Sequence, residues 1–426
     1  MTRRFATFLL VLLLTSCAVP GARSQVVSKT SLPLEPIGTY SLRGNPNFSP
    51  GQLSSEMQVW HTRLWEGIEY ANDSEERLNP ETRASSGDLF SMGRFLNVHI
   101  TTLLSALRVT KDLALLDEVD RLMEMARAEL ADTNADGFQN WRYLNEATDS
   151  SRSFYKDDFH EMDEILTHSM VAAVAYALSE NASFDRRYEE HAQFWLDYLK
   201  NDFEAKWRKR NDVPFGLPFI SKNLMHPYVQ FIRYNLYMYK LTGDTAYYSE
   251  ANRMADLVPR QVRDIYTTDG PAYVWNQRFL PEAGDAKTLS CQPFTYLKYT
   301  FQAFQDLTME GFSVFDDAFM QRVATSMTAL VVEDSYRSFA EDICGGTFQA
   351  GFFPSSGDGG VPYHFLNFPY AQIGKWDATG KLLRTTERAY GEGELDSYRY
   401  PLARANLSAT MLFLLADNPD GRQTSR

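Results

Sequence analysis

The stretch Ser169–Leu178, SMVAAVAYAL, has no polar face at helical spacing. A helix that is apolar all round has to be buried on every side. Directly before it, Asp157 to His168 (DDFHEMDEILTH) brings many carboxylates and two histidines together. A greasy helix with a titratable mouth is expected to begin at His168 and to form the inner wall of a larger helical assembly. No alternating strand pattern accompanies it.

The same arrangement recurs along the chain. Phe90–Val109 is apolar with a helical period and is followed by the more charged Leu115–Leu130. His168–Leu178 precedes Tyr188–Leu199, and His226–Leu241 precedes Ala246–Val258 across Thr242-Gly243-Asp244. Tyr296–Leu307 precedes Phe315–Val331, a further pair surrounds Tyr370–Tyr390, and Leu402–Leu415 closes the series. A first helix is expected at Gln58–Asn72. Apolar-then-charged helical pairs are repeats in organisation rather than identity. They predict an all-α fold, an (α/α) toroid or barrel of about six or seven hairpins, closed or incomplete, over residues 51–420. The links 133–160, 202–225, 262–295 and 340–369 all lead into inner-helix starts, so they are expected to share one rim, where function concentrates.

The N-terminus reads as an address. Arg3 and Arg4 precede the apolar run Phe5–Leu14, and Leu14-Thr15-Ser16-Cys17 closes it. This is a secretory signal over 1–17, too short to span a membrane. It resembles a bacterial lipobox, which implies a lipid on Cys17 and a periplasmic or outer-membrane location. Residues 18–50 are expected to be a flexible tether. Cys291 and Cys344 lack the spacing of a zinc site; whether they pair is open at this stage. The net charge is −13, and loss of Arg3 and Arg4 with the signal takes it to −15, which argues against nucleic acid as a partner.

Asp132-Thr133-Asn134-Ala135-Asp136-Gly137 opens like a calcium loop, but its twelfth position is Tyr143. It reads as a turn, with structural calcium at Asp132, Asn134 and Asp136 as the alternative. No cofactor is required by the readings that follow.

Candidate site residues cluster before the inner helices. Glu161 lies seven residues before His168, on one helix face. Lys222, Asn223, His226 and Tyr228 crowd the entry to the next inner helix. Tyr273, Trp275, Asn276 and Arg278 lie in the following link, and Tyr296 begins the helix after it. Tyr363-His364 and Arg399-Tyr400 extend the ring, while His99 reads as a core histidine. His, Tyr, Asn and a cation without a metal cage suit elimination from a uronic acid. The carboxylate is neutralised by hydrogen bonds, a His or Tyr takes the C5 proton, and a Tyr hydroxyl protonates the leaving oxygen.

The signal, the hairpins and this His/Tyr/Asn rim resemble the (α/α)-toroid polysaccharide lyases, including alginate and glucuronan lyases. The resemblance covers most of the chain after the tether. It implies a His on one inner-helix start paired with a Tyr near the next. It pairs His168 with Tyr228, with Glu161 and Lys222 or Asn223 at the carboxylate. The competing registration pairs His226 with Tyr296, with Arg278 as the cation. Tyr273, Trp275 and His364 would line the substrate, an acidic polysaccharide. Two other classes stay open. One is a glycoside hydrolase on the same scaffold, using two of Asp157, Asp158, Glu161 and Glu164. The other is a non-catalytic glycan-binding lipoprotein.

Overall fold

The structure is a computed structural model that describes residues 40–74, 79–143, 161–211, 224–278, 290–335, 338–346, 365, 370–392, 395 and 401–416. All of them belong to one unit, Glu35–Arg426. The signal segment with Cys17, and Asp157, Asp158, Lys222, Asn223, Tyr363, His364, Arg399 and Tyr400, lie outside the described residues, as does the side chain of Glu161.

The described residues are mostly helical. Five helices are buried nearly throughout: Asn97–Thr110, Glu161–Asn181, Met225–Thr242, Phe294–Met309 and Ala403–Leu415. Each packs beside the next: the Asn97 helix on the Glu161 helix, that on the Met225 helix, and that on the Phe294 helix. The Ala403 helix packs on the Asn97 helix, and the short Tyr370–Trp376 turn touches both the Phe294 and Ala403 helices. More polar helices cover them from outside: Leu113–Ala128, Arg186–Tyr198, Thr245–Ala255 and Lys381–Glu392 on their preceding or following partners, and Ser55–Asp73 on the Ala403 helix. The core lies between these two sets.

A local grammar generates the pairs. The Asn97 helix ends on Lys111 (φ 65°) and the Met225 helix on Gly243 (φ 69°), both left-handed, a conformation that ends a helix and suits glycine. The next residue is then an aspartate, Asp112 or Asp244, whose side chain caps the outer helix at Ala114 N or Ala246 N. Asp185 caps the Arg186 helix and Asp316 the further helix Asp317–Ser326 in the same way. By contrast, the inner helices beginning at Met225, Phe294 and Ala403 start without a side-chain cap.

Three expectations are corrected. The inner helix does not begin at His168 but at Glu161, so His168 sits two turns inside it; the carboxylates of Glu161–Glu164 favour a helix N-terminus and extend it. Strands do occur: Val262–Thr267 pairs antiparallel with Gly270–Trp275, Val262 opposite Trp275, and Val332–Ser335 pairs with Ser338–Phe339. The Asp269-Gly270 dipeptide at the hairpin tip is the turn signal. The tether assigned to 18–50 is docked in its described part. Tyr40 and Leu42 are buried, Gly44 N donates to Asn181 Oδ1 at 2.8 Å and Arg43 Nη1 to Glu180 O at 2.8 Å.

His99 is buried among these helices. Burial, against the attraction of Glu118, pushes its ionisation down to about 4 from an ordinary 6.5. Between those values the unfolded chain binds the extra proton. The stability contributed by the neutral ring is therefore complete above pH 6.5 and is lost as pH falls towards 4, about 3 kcal/mol in all. Urea unfolding of wild type between these pH values should steepen relative to His99→Gln; parallel pH dependences would refute this.

Candidate functional site

Four of the buried helices present their N-terminal ends to one place. Arg94 comes from a π-turn, Met92–Leu96, that runs into the Asn97 helix. Met162 and Asp163 lie in the first turn of the Glu161 helix, His226 is the second residue of the Met225 helix, and Tyr296, Lys298 and Tyr299 open the Phe294 helix. Gly93 makes the first approach feasible: a Cβ there would stand 2.9 Å from Thr167 Oγ1 and 3.0 Å from Asp163 O. With no side chain in the way, Arg94 Nε reaches Asp163 in a buried ion pair.

The His226 ring stacks on Tyr296 with centroids 4.5 Å apart and planes 17° apart, and Tyr299 stacks beyond at 6.0 Å. The Arg94 guanidinium lies 5.7 Å from the Tyr296 centroid. His226 Nε2 is 3.1 Å from Met162 Sδ. Nδ1 has no hydrogen-bond partner among the described residues. His226 is fully buried, whereas Tyr296, Arg94 and Met162 are partly exposed.

Electrostatics set the protonation states. Burial, reinforced by Arg94 and Lys298 and opposed by Asp163, carries His226 well below the ordinary histidine range, so the imidazole is neutral. Burial and the Arg94 charge likewise hold Lys298 well below the ordinary lysine range. Burial pushes the Tyr299 phenol up. The Arg94 guanidinium beside these helix N-termini, with Asp163 as its counter-ion, makes a place suited to an anion.

A polar floor fixes the geometry. Gln302 Nε2 donates to Asn97 Oδ1 at 3.1 Å and to Thr101 Oγ1. Gln230 Nε2 donates to Tyr299 O at 2.7 Å and to Gln302 Oε1 at 2.9 Å. Asn97 Nδ2 donates to Leu166 O at 2.9 Å. Those bonds tie all four helix beginnings together, so the rings and the guanidinium rest on a preorganised base.

His168 lies elsewhere. It is fully buried and faces the outer layer: Nδ1 donates to Glu164 O at 2.6 Å, Nε2 meets the Tyr198 hydroxyl at 2.9 Å, and the ring stacks on Phe203 at 3.8 Å. Glu164 is held by Lys206 at 2.8 Å and by Asn140. Tyr228 donates to Met254 O at 3.2 Å, against the outer helix, so the His168–Tyr228 registration does not form. Trp275 is core, bonded to Gln292 Oε1 at 2.5 Å. Tyr273 packs on Phe319 and reaches Arg322. Arg278 is exposed on a strand bridge to Leu224, and the cation at the Tyr296 ring is Arg94. Thus of the sequence candidates His226 and Tyr296 are brought together. Arg94, Asp163, Lys298 and Tyr299 were missed, although Arg94 and Lys298 each interrupt an otherwise apolar helix start.

The Asp132 loop is closed as a turn: Asp132 accepts from Asp136 N and Gly137 N at 3.0 Å each, and Asp136 from Phe138 N at 3.3 Å. Asp120, Glu124 and His191 bring ligand atoms within 4.8 Å of one another, but Asp120 is already bonded to His191 at 2.8 Å and paired with Arg187. Cys291 and Cys344 form a disulfide that spans 53 residues. It lies beside the backbone bond from Phe294 N to Glu341 O that seats the Phe294 helix.

No protein-family model, no curated protein and no solved structure matches the chain. Among the described residues no helix is long and apolar enough to cross a membrane.

Proposed function

We propose that the chain is an (α/α)-toroid polysaccharide lyase that cleaves a uronic-acid-containing polymer by β-elimination. The neighbour order of the buried helices, which returns from the Tyr370 turn and the Ala403 helix to the Asn97 helix, supports a closed inner ring. The single observation that carries the chemistry is the His226–Tyr296 stack beside Arg94. Arg94 offsets the substrate carboxylate, which makes the C5 proton removable. The neutral imidazole and the phenol supply one proton acceptor and one proton donor, for C5 and for the departing glycosidic oxygen. Among the described residues, Asp163 is tied to Arg94 and Glu164 is committed to Lys206 away from the stack, which favours this reading over hydrolysis by those two carboxylates. The Cys291–Cys344 disulfide suits an oxidising compartment, in keeping with export and a lipid on Cys17.

Incubation of the purified protein with alginate, polyglucuronate and a neutral glycan tests the proposal. Ultraviolet absorbance from the unsaturated sugar should rise with a uronate polymer alone. New reducing ends without absorbance would mean hydrolysis, and binding with neither would mean a carrier.

A further inference from the structure

We infer that the sulfur of Met162 marks the point at which a substrate carboxylate binds, and that Met162 is displaced when it does. This rests on the lyase reading for the identity of the substrate, but the binding point stands on its own geometry. His226 Nε2 lies 3.1 Å from Met162 Sδ, and Arg94 Nη2 lies 3.5 Å from the same sulfur. Two nitrogen donors from different helices thus converge on a single thioether. A thioether is a weak acceptor, so both donors are poorly served. A carboxylate oxygen at that point would take a charge-assisted bond from the guanidinium in place of the sulfur, and displacement of the sulfur would free Nε2 of the imidazole for the proton step.

The rest of the cluster agrees. Asp163 occupies Nε of Arg94, while Nη2 points at the sulfur. His226 is wholly buried while Met162, Arg94 and Tyr296 are partly exposed, so the sulfur and the guanidinium stand nearer solvent than the imidazole. Met162 lies in the first turn of its helix. Its unbranched side chain turns about three bonds without moving the backbone. The site is therefore self-capped, and the cap is exchanged for an anion.

The test uses the full chain carrying 13C-methyl methionine, with the Met162 resonance assigned by its loss in Met162→Leu. Oligoglucuronate and a cello-oligosaccharide of equal length serve as probes that differ in their carboxylates. Saturable movement of the Met162 signal with the uronate alone is the expected result, abolished in Arg94→Ala. Met162→Ala should bind the uronate several-fold more tightly than wild type. An unmoved Met162 signal at saturating uronate, or equal movement with the neutral sugar, overturns the inference. If oligoglucuronate moves Met162 but no polymer gives unsaturated product, the binding point holds and the lyase reading fails. If polymer is cleaved with Met162 unmoved, the reverse is true.

Discussion

Tyr296→Phe and His226→Ala are each expected to lower the proposed turnover of a uronate polymer on the order of a thousandfold while leaving helical content near wild type, and Tyr296→Phe should leave thermal unfolding there as well. The phenylalanine keeps the ring that stacks on His226 and removes only the hydroxyl, so its effect belongs in kcat rather than in KM. Arg94→Lys should retain charge but lose the planar fork that holds Asp163 through Nε. It is expected to raise KM more than it lowers kcat. Turnover within a few-fold of wild type for both Tyr296→Phe and His226→Ala would remove this stack from the chemistry.

Asp306→Asn should cost about 3–5 kcal/mol of folding free energy. Asp306 accepts from Arg233 Nε at 2.6 Å and from the Tyr237 hydroxyl at 2.9 Å, deep between the inner helices. Arg108 stands 3.6 Å from its other oxygen and pairs with Glu310 at 2.6 Å, and Glu310 holds Lys240 at 2.5 Å. Burial opposes the Arg108 charge, and these carboxylates with Tyr237 hold its ionisation above the ordinary arginine range. Neutralising Asp306 would leave two buried guanidinium groups facing one carboxylate. Urea unfolding measures the loss. If the cause is uncompensated charge, Arg233→Met combined with Asp306→Leu should cost less than Asp306→Asn alone; a double variant at least as unstable as the single one would exclude that cause.

The hairpin rhythm was legible because helices buried on every side lose their polar stripe, and SMVAAVAYAL or NVHITTLLSAL cannot be mistaken for surface helices. Helix ends were legible where an aspartate cap follows a left-handed residue, as at Gly243-Asp244. Direction around a buried helix was not. With about 3.6 residues per turn, His168 and Asp163, five positions apart, point to nearly opposite sides. One faces the outer helix through Tyr198, the other meets Arg94 at the helix beginnings. A helix apolar all round offers no moment by which to tell those sides apart, so the sequence leaves open whether His168 or His226 stands at the shared helix beginnings. His226 and Tyr296 were found because they lie so near their helix starts that every orientation keeps them at the same end. The ribbon Val262–Trp275 escaped notice because its outer strand is polar at most positions, leaving the Asp269-Gly270 turn as the main cue.

The docked segment Tyr40–Asn45 fixes where the chain enters the helical unit. It contacts Glu180, Asn181, Arg108 and Lys111, all at the finishing ends of buried helices. Arg94 and His226 stand at the beginnings. Along the Glu161 helix the span from Asp163 to Asn181 is about 27 Å. The chain therefore joins the described helices at the opposite end from the stacked rings, so that end and the rings can be altered independently.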